Sequence, residues 1–272
     1  MNIRKKISGA FLALAVGCML CSCQQTEAKT ESAADSGLPE LKIGVDILKP
    51  FFYIDENGHY AGIDAEIAEE ACRRAGYTPD FVEVSWSERD SELQSGNIDC
   101  IWSAFIKNGR EDLYDWTDTY LQSNLRVIVD AKSPDLDMKS LNGPGGMAVR
   151  ADSKIEEILL KNESDRNPIR IYTCGSFEMA ENAFVKGYVG ALGGHEAVLQ
   201  DVIQNYSEEY RFLDGSILAA DLGVAFCRED DSEARDKIND ALEAMKAEGV
   251  IENVYESYTS GQLVKEGVTD SE

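Results

Sequence analysis

The feature that most constrains the fold of this chain is an alternation of strand-like and helix-like segments that begins at Leu41. Strands are indicated by period-two alternation or short apolar runs, and helices by apolar residues at intervals of three and four. Strands separated by helices predict a parallel sheet. The expected order is strand Leu41–Asp46, helix Ile63–Ala75, strand Phe81–Val84, helix Glu88–Leu93 and strand Ile98–Trp102.

Local signals refine this first unit. Asn57-Gly58 between aromatic residues predicts a hairpin over Tyr53–Tyr60. The long helix is expected to be capped by Asp64 and to stop at Gly76.

A second alternation follows the strand-like run Asn124–Val129, and Leu222–Phe226 then resembles a strand that returns to the first unit. We therefore expect an α/β protein of two lobes, joined by two crossing strands, with a cleft at the carboxyl ends of the strands. The remaining expected elements are strand Met147–Val149, helix Ser153–Leu160, strand Ile169–Tyr172, helix Phe177–Val185, strand Val189–Leu192, helix His195–Ile203, strand Arg211–Leu213, and helices Glu233–Met245 and Val250–Tyr258.

The first 23 residues are typical of a signal peptide, because three basic residues precede the apolar run Ile7–Leu20. The run ends in Leu20-Cys21-Ser22-Cys23, which resembles the bacterial lipobox and makes Cys23 the expected lipidated residue. Cys18 is a weaker candidate, and a plain secretory signal is the alternative. The predicted boundaries are signal 1–23, flexible tether 24–37, first lobe 38–125 and 224–262, second lobe 126–223 and disordered tail 263–272.

Composition excludes several classes of partner. The chain has 26 basic and 50 acidic residues, and removal of the first 23 residues leaves 23 basic and 50 acidic ones, a net charge of −27. Such a charge repels nucleic acid and anionic lipid surfaces. The predicted body contains four cysteines, namely Cys72, Cys100, Cys174 and Cys227. They lack the spacing of metal ligands, so we expect no metal and no cofactor. Their expected role is packing as small buried side chains, although one unspecified pair could form a disulfide.

The segment Gly96–Tyr120 contains the strongest single candidate for ligand binding. A buried strand ends in a polar loop that carries Arg110. A guanidinium offers two parallel donors to a carboxylate, so this arrangement suits a carboxylate-bearing ligand. The alternative is an ordinary surface arginine.

In their order and spacing, these segments resemble the extracellular solute-binding proteins that serve polar amino-acid ABC importers. The resemblance covers Leu41–Tyr258 and implies a periplasmic-binding-protein-like fold of type II. It is carried by Pro50-Phe51-Phe52, Asp55-Glu56-Asn57-Gly58, Ala61-Gly62-Ile63-Asp64, Ser85-Trp86, Leu93–Asp99, Asn108-Gly109-Arg110-Glu111 and Asp115–Tyr120.

The resemblance also implies the site. Arg110 would hold the ligand α-carboxylate, and Ser153 with its amide would contribute from the second lobe, where the family prefers Gly-Ser-Thr and this chain has Asp152-Ser153-Lys154. Phe52 would cover the ligand. Further candidates for the lining are Asp46, Ser103, Ala104, Trp86 and Trp102; core packing is the alternative for each aromatic residue.

Two positions depart from the family's pattern for the ligand ammonium. The position at which the family typically has a hydroxyl is Ile106 in this chain, and the position at which it typically has an aspartate is His195. Either another carboxylate, such as Asp46 or Glu196, meets the ammonium, or the ligand is not an ordinary α-amino acid. His195 could instead be a helix-cap neighbour without ligand contact.

These observations predict a lipid-anchored, monomeric, extracytoplasmic receptor that delivers a small carboxylate-bearing solute, an amino acid or an analogue of one, to an ABC permease. No catalytic residue is expected. One alternative is a sensory or degenerate binding module. A second is a dehydratase-like enzyme on the same fold, for which His195 with Glu196 is the local acid–base candidate.

Overall fold

Two β-sheets, each packed against its own helices, organise the described part of the chain. The structure is a computed structural model, and it describes residues 37–133, 141, 145–161, 169–206, 209–228 and 233–259. The predicted signal peptide with Cys23, the tether up to residue 36 and the predicted tail lie outside the described residues.

The elements have the following bounds in chain order. They are β1 (Glu40–Val45), β2 (Tyr53–Ile54), β3 (Tyr60–Ala61), α1 (Ile63–Ala75), β4 (Thr78–Glu83), α2 (Arg89–Gln94), β5 (Cys100–Ile101), β6 (Asp115–Trp116), β7 (Leu121–Asp130), β8 (Met147–Arg150), α3 (Lys154–Lys161), β9 (Ile171–Cys174), α4 (Phe177–Val185), β10 (Ala191–His195), α5 (Glu196–Asn205), β11 (Tyr210–Phe212), β12 (Leu218–Leu222), β13 (Ala225–Phe226), α6 (Ala234–Ala247) and α7 (Val250–Thr259).

The first lobe is built on the sheet β4-β1-β5-β13-β6. Strand β1 runs parallel to β4 and to β5, whereas β13 is antiparallel to β5 and β6. Helix α1 packs against α6 and α7. The parallel pairs follow from the helical crossovers that the sequence predicts.

The second lobe is built on the sheet β11-β7-β10-β8-β9, with β12 paired to β7. Strands β8, β9 and β10 form parallel pairs, and β7 is antiparallel to each of its three neighbours. Helices α3, α4 and α5 pack on this sheet.

Two short segments connect the sheets. The chain leaves the first sheet after Trp116 and enters the second at Leu121, and it returns between Leu222 and Ala225. Antiparallel pairing of β12 with the first half of β7 holds the two crossings side by side. The predicted α/β fold of two lobes joined by two strands is confirmed; the exact lobe boundaries stay a prediction.

The cap of helix α1 differs from the prediction. The helix spans Ile63–Ala75 and stops at Gly76 in the left-handed conformation, as expected, but its N-cap is Gly62. Asp64 lies inside the first turn with a fully buried side chain. Its carboxylate bonds to the loop after β5 instead of to the helix's own amides, which is why it does not cap the helix.

The strands show the largest differences from prediction. The expected return strand Leu222–Phe226 is divided between the end of β12 and β13, with a break at Gly223 and Val224. An added Cβ at Gly223 would lie 3.0 Å from the Trp116 ring. Strand β6 was not predicted. Strand β4 begins at Thr78, three residues early, since its backbone pairs with β1 from Glu40 onward.

The four cysteines of the predicted body all lie within the described residues. Cys72 and Cys100 are buried, Cys174 and Cys227 are partly buried, and all four are free thiols. Burial raises the pKa of the Cys72 thiol to about 12. Within the described ranges, no group of potential ligands could hold a metal ion. None of the helices described has the length and apolar character that a membrane crossing requires.

The two glycines that bracket α1 are expected to differ in their tolerance of alanine. Gly76 has φ 81° and no atom within 4 Å of the position that a Cβ would take, so Gly76→Ala should cost only the left-handed strain, about 1–2 kcal/mol. At Gly62, φ is 121° and a Cβ would lie 2.5 Å from the Phe51 carbonyl oxygen, so Gly62→Ala should cost about 3 kcal/mol or more. Urea unfolding measures both; equal costs would contradict the clash at Gly62.

Candidate ligand-binding site

A cavity lies between the two lobes, and it encloses about 530 Å³ of space, including its open mouth. Its walls come from the carboxyl ends of strands in both sheets. The loop Ser103–Ile106 follows β5, while Arg150 ends β8 and His195 ends β10. Ligands of open α/β sheets bind at this edge, so the cavity is the candidate site.

The loop after β5 is held by a buried carboxylate. The amide of Ala104 donates to Oδ2 of Asp64 at 2.6 Å, and the hydroxyl of Tyr120 donates to Oδ1 at 2.7 Å. Ala104 takes a positive φ of 45°, and the Ser103 hydroxyl donates to the Asp46 carbonyl at 2.9 Å. Burial raises the pKa of Asp64 to about 6, against the two hydrogen bonds that lower it.

Arg110 lies at the cavity wall and is buried except for 8% of its surface. Its guanidinium lies over the Phe105 ring, 5.3 Å from the ring centre. Trp116 fixes the local backbone by donating its indole N–H to the Arg110 carbonyl at 3.0 Å. Burial lowers the pKa of Arg110, but a guanidinium stays charged at neutral pH.

The only carboxylate that the structure records in an ion pair with Arg110, within the described residues, is Glu157 of α3. The distance from Nη2 of Arg110 to Oε2 of Glu157 is 3.6 Å, which is loose for such a pair. Glu157 is held more closely by Lys154 at 2.9 Å and by Lys161 at 2.6 Å. The Arg110 guanidinium therefore retains donor capacity for a ligand.

Arg150, which the sequence reasoning missed, forms an ion pair between the lobes. Its guanidinium pairs with the Asp46 carboxylate across the cleft and lies 4.5 Å from the centre of the Trp86 ring. The Trp86 indole N–H donates to the Asp152 carbonyl at 3.3 Å, also across the cleft. Burial lowers the pKa of Arg150 and raises that of Asp46, and the attraction between the two charges opposes both shifts.

The turn before α3 brings second-lobe backbone to the cavity. Asp152 has a positive φ of 56°, a conformation in which glycine is the easiest residue. Its amide donates to Oε2 of Glu156 at 2.7 Å. The Ser153 hydroxyl donates to the Arg150 carbonyl at 2.6 Å and accepts the amide of Glu156 at 3.4 Å, so this hydroxyl also caps α3.

His195 is the N-cap residue of α5 and lines the cavity. Its Nδ1 lies 3.1 Å from the Ser123 hydroxyl, and its ring meets the edge of Phe51 at 5.4 Å between ring centres. Burial, with a smaller contribution from the nearby Arg150 charge, lowers the pKa of His195 to about 3. The imidazole is therefore neutral at physiological pH.

The structure brings six of the predicted site residues to the cavity wall, namely Trp86, Ser103, Ala104, Arg110, Ser153 and His195. Asp46 stands at the cleft, but its carboxylate is taken by Arg150. Phe52 and Trp102 are fully buried in the first lobe and are not part of the cavity wall. Their placement does not support the predicted ligand contacts.

Packing explains where these two aromatic residues lie. The Phe52 ring contacts Phe81 at 5.0 Å and Tyr60 at 5.4 Å between ring centres, and Trp102 contacts Tyr120 at 5.8 Å. Both belong to the core of the first lobe, which was the alternative interpretation for them.

Sequence reasoning also missed the apolar and cationic parts of the wall. Arg150 could have been found, because it follows directly on a predicted strand at the edge where ligands bind. The other missed residues of the wall have no comparable signal in the sequence, because they come together only when distant segments fold against each other. They are Leu48, Leu125, Lys154, Ile155, Phe177 and Val198.

Two α/β lobes joined by two strands around a cleft define a type II periplasmic binding fold, and solved proteins of this kind match the chain closely in fold. The family model described as bacterial extracellular solute-binding proteins, family 3, matches residues 41–261. The chain belongs to this family, as its resemblance predicts.

Three relatives illustrate the similarity. A probable amino-acid-binding protein, YxeM of Bacillus subtilis strain 168, is 24% identical over 222 residues, or 80% of this chain and 82% of its own length. The structure of an ancestral arginine-binding protein bound to arginine has a TM-score of 0.71 and 26% identity, covering 80% of this chain and 97% of that one. An ancestral amino-acid-binding precursor of cyclohexadienyl dehydratase has a TM-score of 0.68 and 24% identity, covering 80% and 94%.

The buried Asp64 is expected to make stability depend on pH. Its folded-state pKa of about 6 lies above the ordinary value of 3.8, so the folded state binds more protons between these values. The free energy of unfolding therefore falls as pH rises through this window. Asp64→Asn cannot ionise, so its free energy of unfolding should lack this fall. The difference in free energy of unfolding between the variant and wild type should therefore shift in the variant's favour by roughly 1–3 kcal/mol between about pH 4 and pH 7. Urea midpoints at four pH values measure this, and parallel profiles would contradict it.

Proposed function

We propose that this chain is a lipid-anchored, extracytoplasmic solute-binding protein that captures a small carboxylate-bearing ligand, an amino acid or an analogue of one, and delivers it to an ABC importer. The observation that carries the proposal is Arg110, a buried and loosely paired guanidinium at the wall of the cleft. A guanidinium in this setting forms two short, charge-assisted hydrogen bonds to a carboxylate.

The second lobe supplies the complementary side of the proposed contact. The turn Asp152-Ser153-Lys154 places the start of α3 at the cavity, where amides and the helix dipole favour a negative group. A ligand that touches both Arg110 and this turn binds the closed arrangement better than an open one. Binding would then shift the population toward closure about the two connecting strands.

The proposed anchor is the Cys23 thioether, followed by the tether. It is supported by the basic start, the short apolar run and the lipobox-like Leu20-Cys21-Ser22-Cys23. Membership of an extracellular family agrees with export. We further propose that the protein acts as a monomer and that its macromolecular partner is the permease of an ABC importer.

A sensory or degenerate binding module is the second candidate, because Ile106 and His195 depart from the family's pattern for an ammonium. A dehydratase-like enzyme is less well supported. It would need an acid–base pair, but His195 is neutral with a pKa of about 3. Glu196 is held by Arg126 at 2.5 Å and by Asn124 at 2.8 Å. We therefore propose binding without catalysis.

Arg110→Ala is expected to abolish ligand-induced thermal stabilisation, since it removes the proposed carboxylate contact. Loss of a charge-assisted bidentate contact of about 3 kcal/mol corresponds to roughly 100-fold in affinity. Thermal shift with amino acids and their deaminated analogues, followed by titration calorimetry of the best compound, measures the effect. Arg73→Ala on the exposed face of α1 is the matched control and should bind normally. Unchanged stabilisation of Arg110→Ala would remove Arg110 from the site.

Cys23→Ser is expected to release the protein from the membrane fraction of a bacterial host and to abolish labelling by an alkyne fatty acid. Cys18→Ser and Cys21→Ser are the matched controls and should keep both properties. Loss of labelling in Cys18→Ser alone would move the anchor to Cys18. A protein that is never labelled would indicate a plain secretory signal.

A further inference from the structure

We propose that the ligand is a monocarboxylic acid with an apolar body and no α-ammonium group, such as a 2-oxo or 2-hydroxy acid. This inference rests on the proposed function, because Arg110 remains the carboxylate contact. It narrows the class of ligand and excludes ordinary α-amino acids as the preferred ones.

The charges at the cavity favour an anion. Three cationic side chains line it, namely Arg110, Arg150 and Lys154. Among the described lining residues, the only carboxylate is that of Asp152, a solvent-exposed residue. Arg150 is paired with Asp46 and Lys154 with Glu157, whereas Arg110 is only loosely paired. A ligand with one negative charge satisfies Arg110, whereas the ammonium of a zwitterion would add a positive charge to this wall.

The two carboxylates that the sequence offers to an ammonium are already engaged. Asp46 pairs with Arg150, and Glu196 pairs with Arg126 at 2.5 Å. Neither belongs to the cavity wall. To meet Asp46, an ammonium ion would have to displace the buried Arg150, which is costly. The carboxylate that does line the cavity, that of Asp152, is exposed to solvent, where an ion pair contributes little.

The end of β10 offers a neutral partner instead. His195 lines the cavity, and its Nδ1 shares a hydrogen bond with Ser123. A neutral imidazole can donate to or accept from an uncharged hydroxyl, and it can donate to a carbonyl, but it cannot balance an ammonium charge.

The remaining wall is apolar and comes from both lobes. Its aliphatic and aromatic members are Leu48, Ile106, Leu125, Ile155, Phe177 and Val198. Ile106 is buried at this wall, at the end of the loop that Asp64 holds. A branched or aromatic ligand body gains from burial against these side chains, whereas a charged side chain would lose its hydration.

Titration calorimetry of the wild-type protein with matched compounds tests the inference. The first series is L-leucine, L-2-hydroxy-4-methylpentanoate and 4-methyl-2-oxopentanoate, and the second is L-phenylalanine, L-3-phenyllactate and phenylpyruvate. L-arginine serves as the polar amino-acid comparison. We expect a hydroxy or oxo acid to bind at least about tenfold more tightly than its amino acid, the range that an unmet charged contact implies.

The outcomes separate this inference from the proposed function. Tighter binding by either amino acid of the two series, or by L-arginine, would overturn the inference and leave solute binding intact. Failure of every compound to bind would overturn both for this class of ligand. If the hydroxy or oxo acids bind the wild-type protein more tightly than the amino acids, and Arg110→Ala abolishes their binding, the result supports both the inference and the proposed function.

A pair of variants tests the role of His195. His195→Asp places a carboxylate at the end of β10 and should shift the preference toward the amino acid by about tenfold or more. His195→Asn is the uncharged control and should not shift it. Equal preferences in the two folded variants would contradict the assignment of this position, and the wild-type comparison decides the ligand class if either variant fails to fold.

Discussion

The ion pair between Asp46 and Arg150 is the contact on which the arrangement of the cleft depends. It joins the end of β1 in one lobe to the end of β8 in the other, across 104 residues of sequence. Removing two charges from water is costly, so such a pair is retained only when the surroundings compensate for their lost hydration. The Trp86 ring provides part of that compensation by a cation–π contact with Arg150.

The same pair determines the electrostatics of the neighbouring residues. It occupies the carboxylate of Asp46, which would otherwise be free to meet a cation. The positive charge of Arg150 also lowers the pKa of His195, in addition to the effect of burial. One interlobe contact therefore influences which charges a ligand can bring into the cleft.

Periodicity predicted the elements well wherever a helix has one apolar face and a clear stop. Helix α4 spans the predicted Phe177–Val185, and α1 ends at Gly76 because a left-handed residue closes it. Short strands were predicted less well, since two-residue strands such as β6 and β13 owe their existence to partners elsewhere in the chain. At the break between β12 and β13, Gly223 lies beside the Trp116 ring, a contact that no local pattern indicates.

The parts of the site that follow from the order of elements along the chain were predictable. The parts that depend on which way a side chain points, or on contacts between the lobes, were not. Arg110 follows a strand and a turn, so its place at the cleft could be inferred. Phe52 and Trp102 also stand near strand ends, but packing against other aromatic rings turns them into the core. Pairs such as Asp46 with Arg150 arise only when two lobes meet.

The contacts of Trp86 make this residue an internal reporter of cleft geometry. Its indole N–H and its ring face both touch second-lobe groups, whereas the other two tryptophans, Trp102 and Trp116, are buried within the first lobe. Separation of the lobes would break the hydrogen bond from Trp86 to the Asp152 carbonyl and the contact of its ring with the Arg150 guanidinium at the same time. Trp86 is therefore the tryptophan of this chain whose surroundings change directly when the lobes open or close, and its fluorescence is the natural signal for that motion.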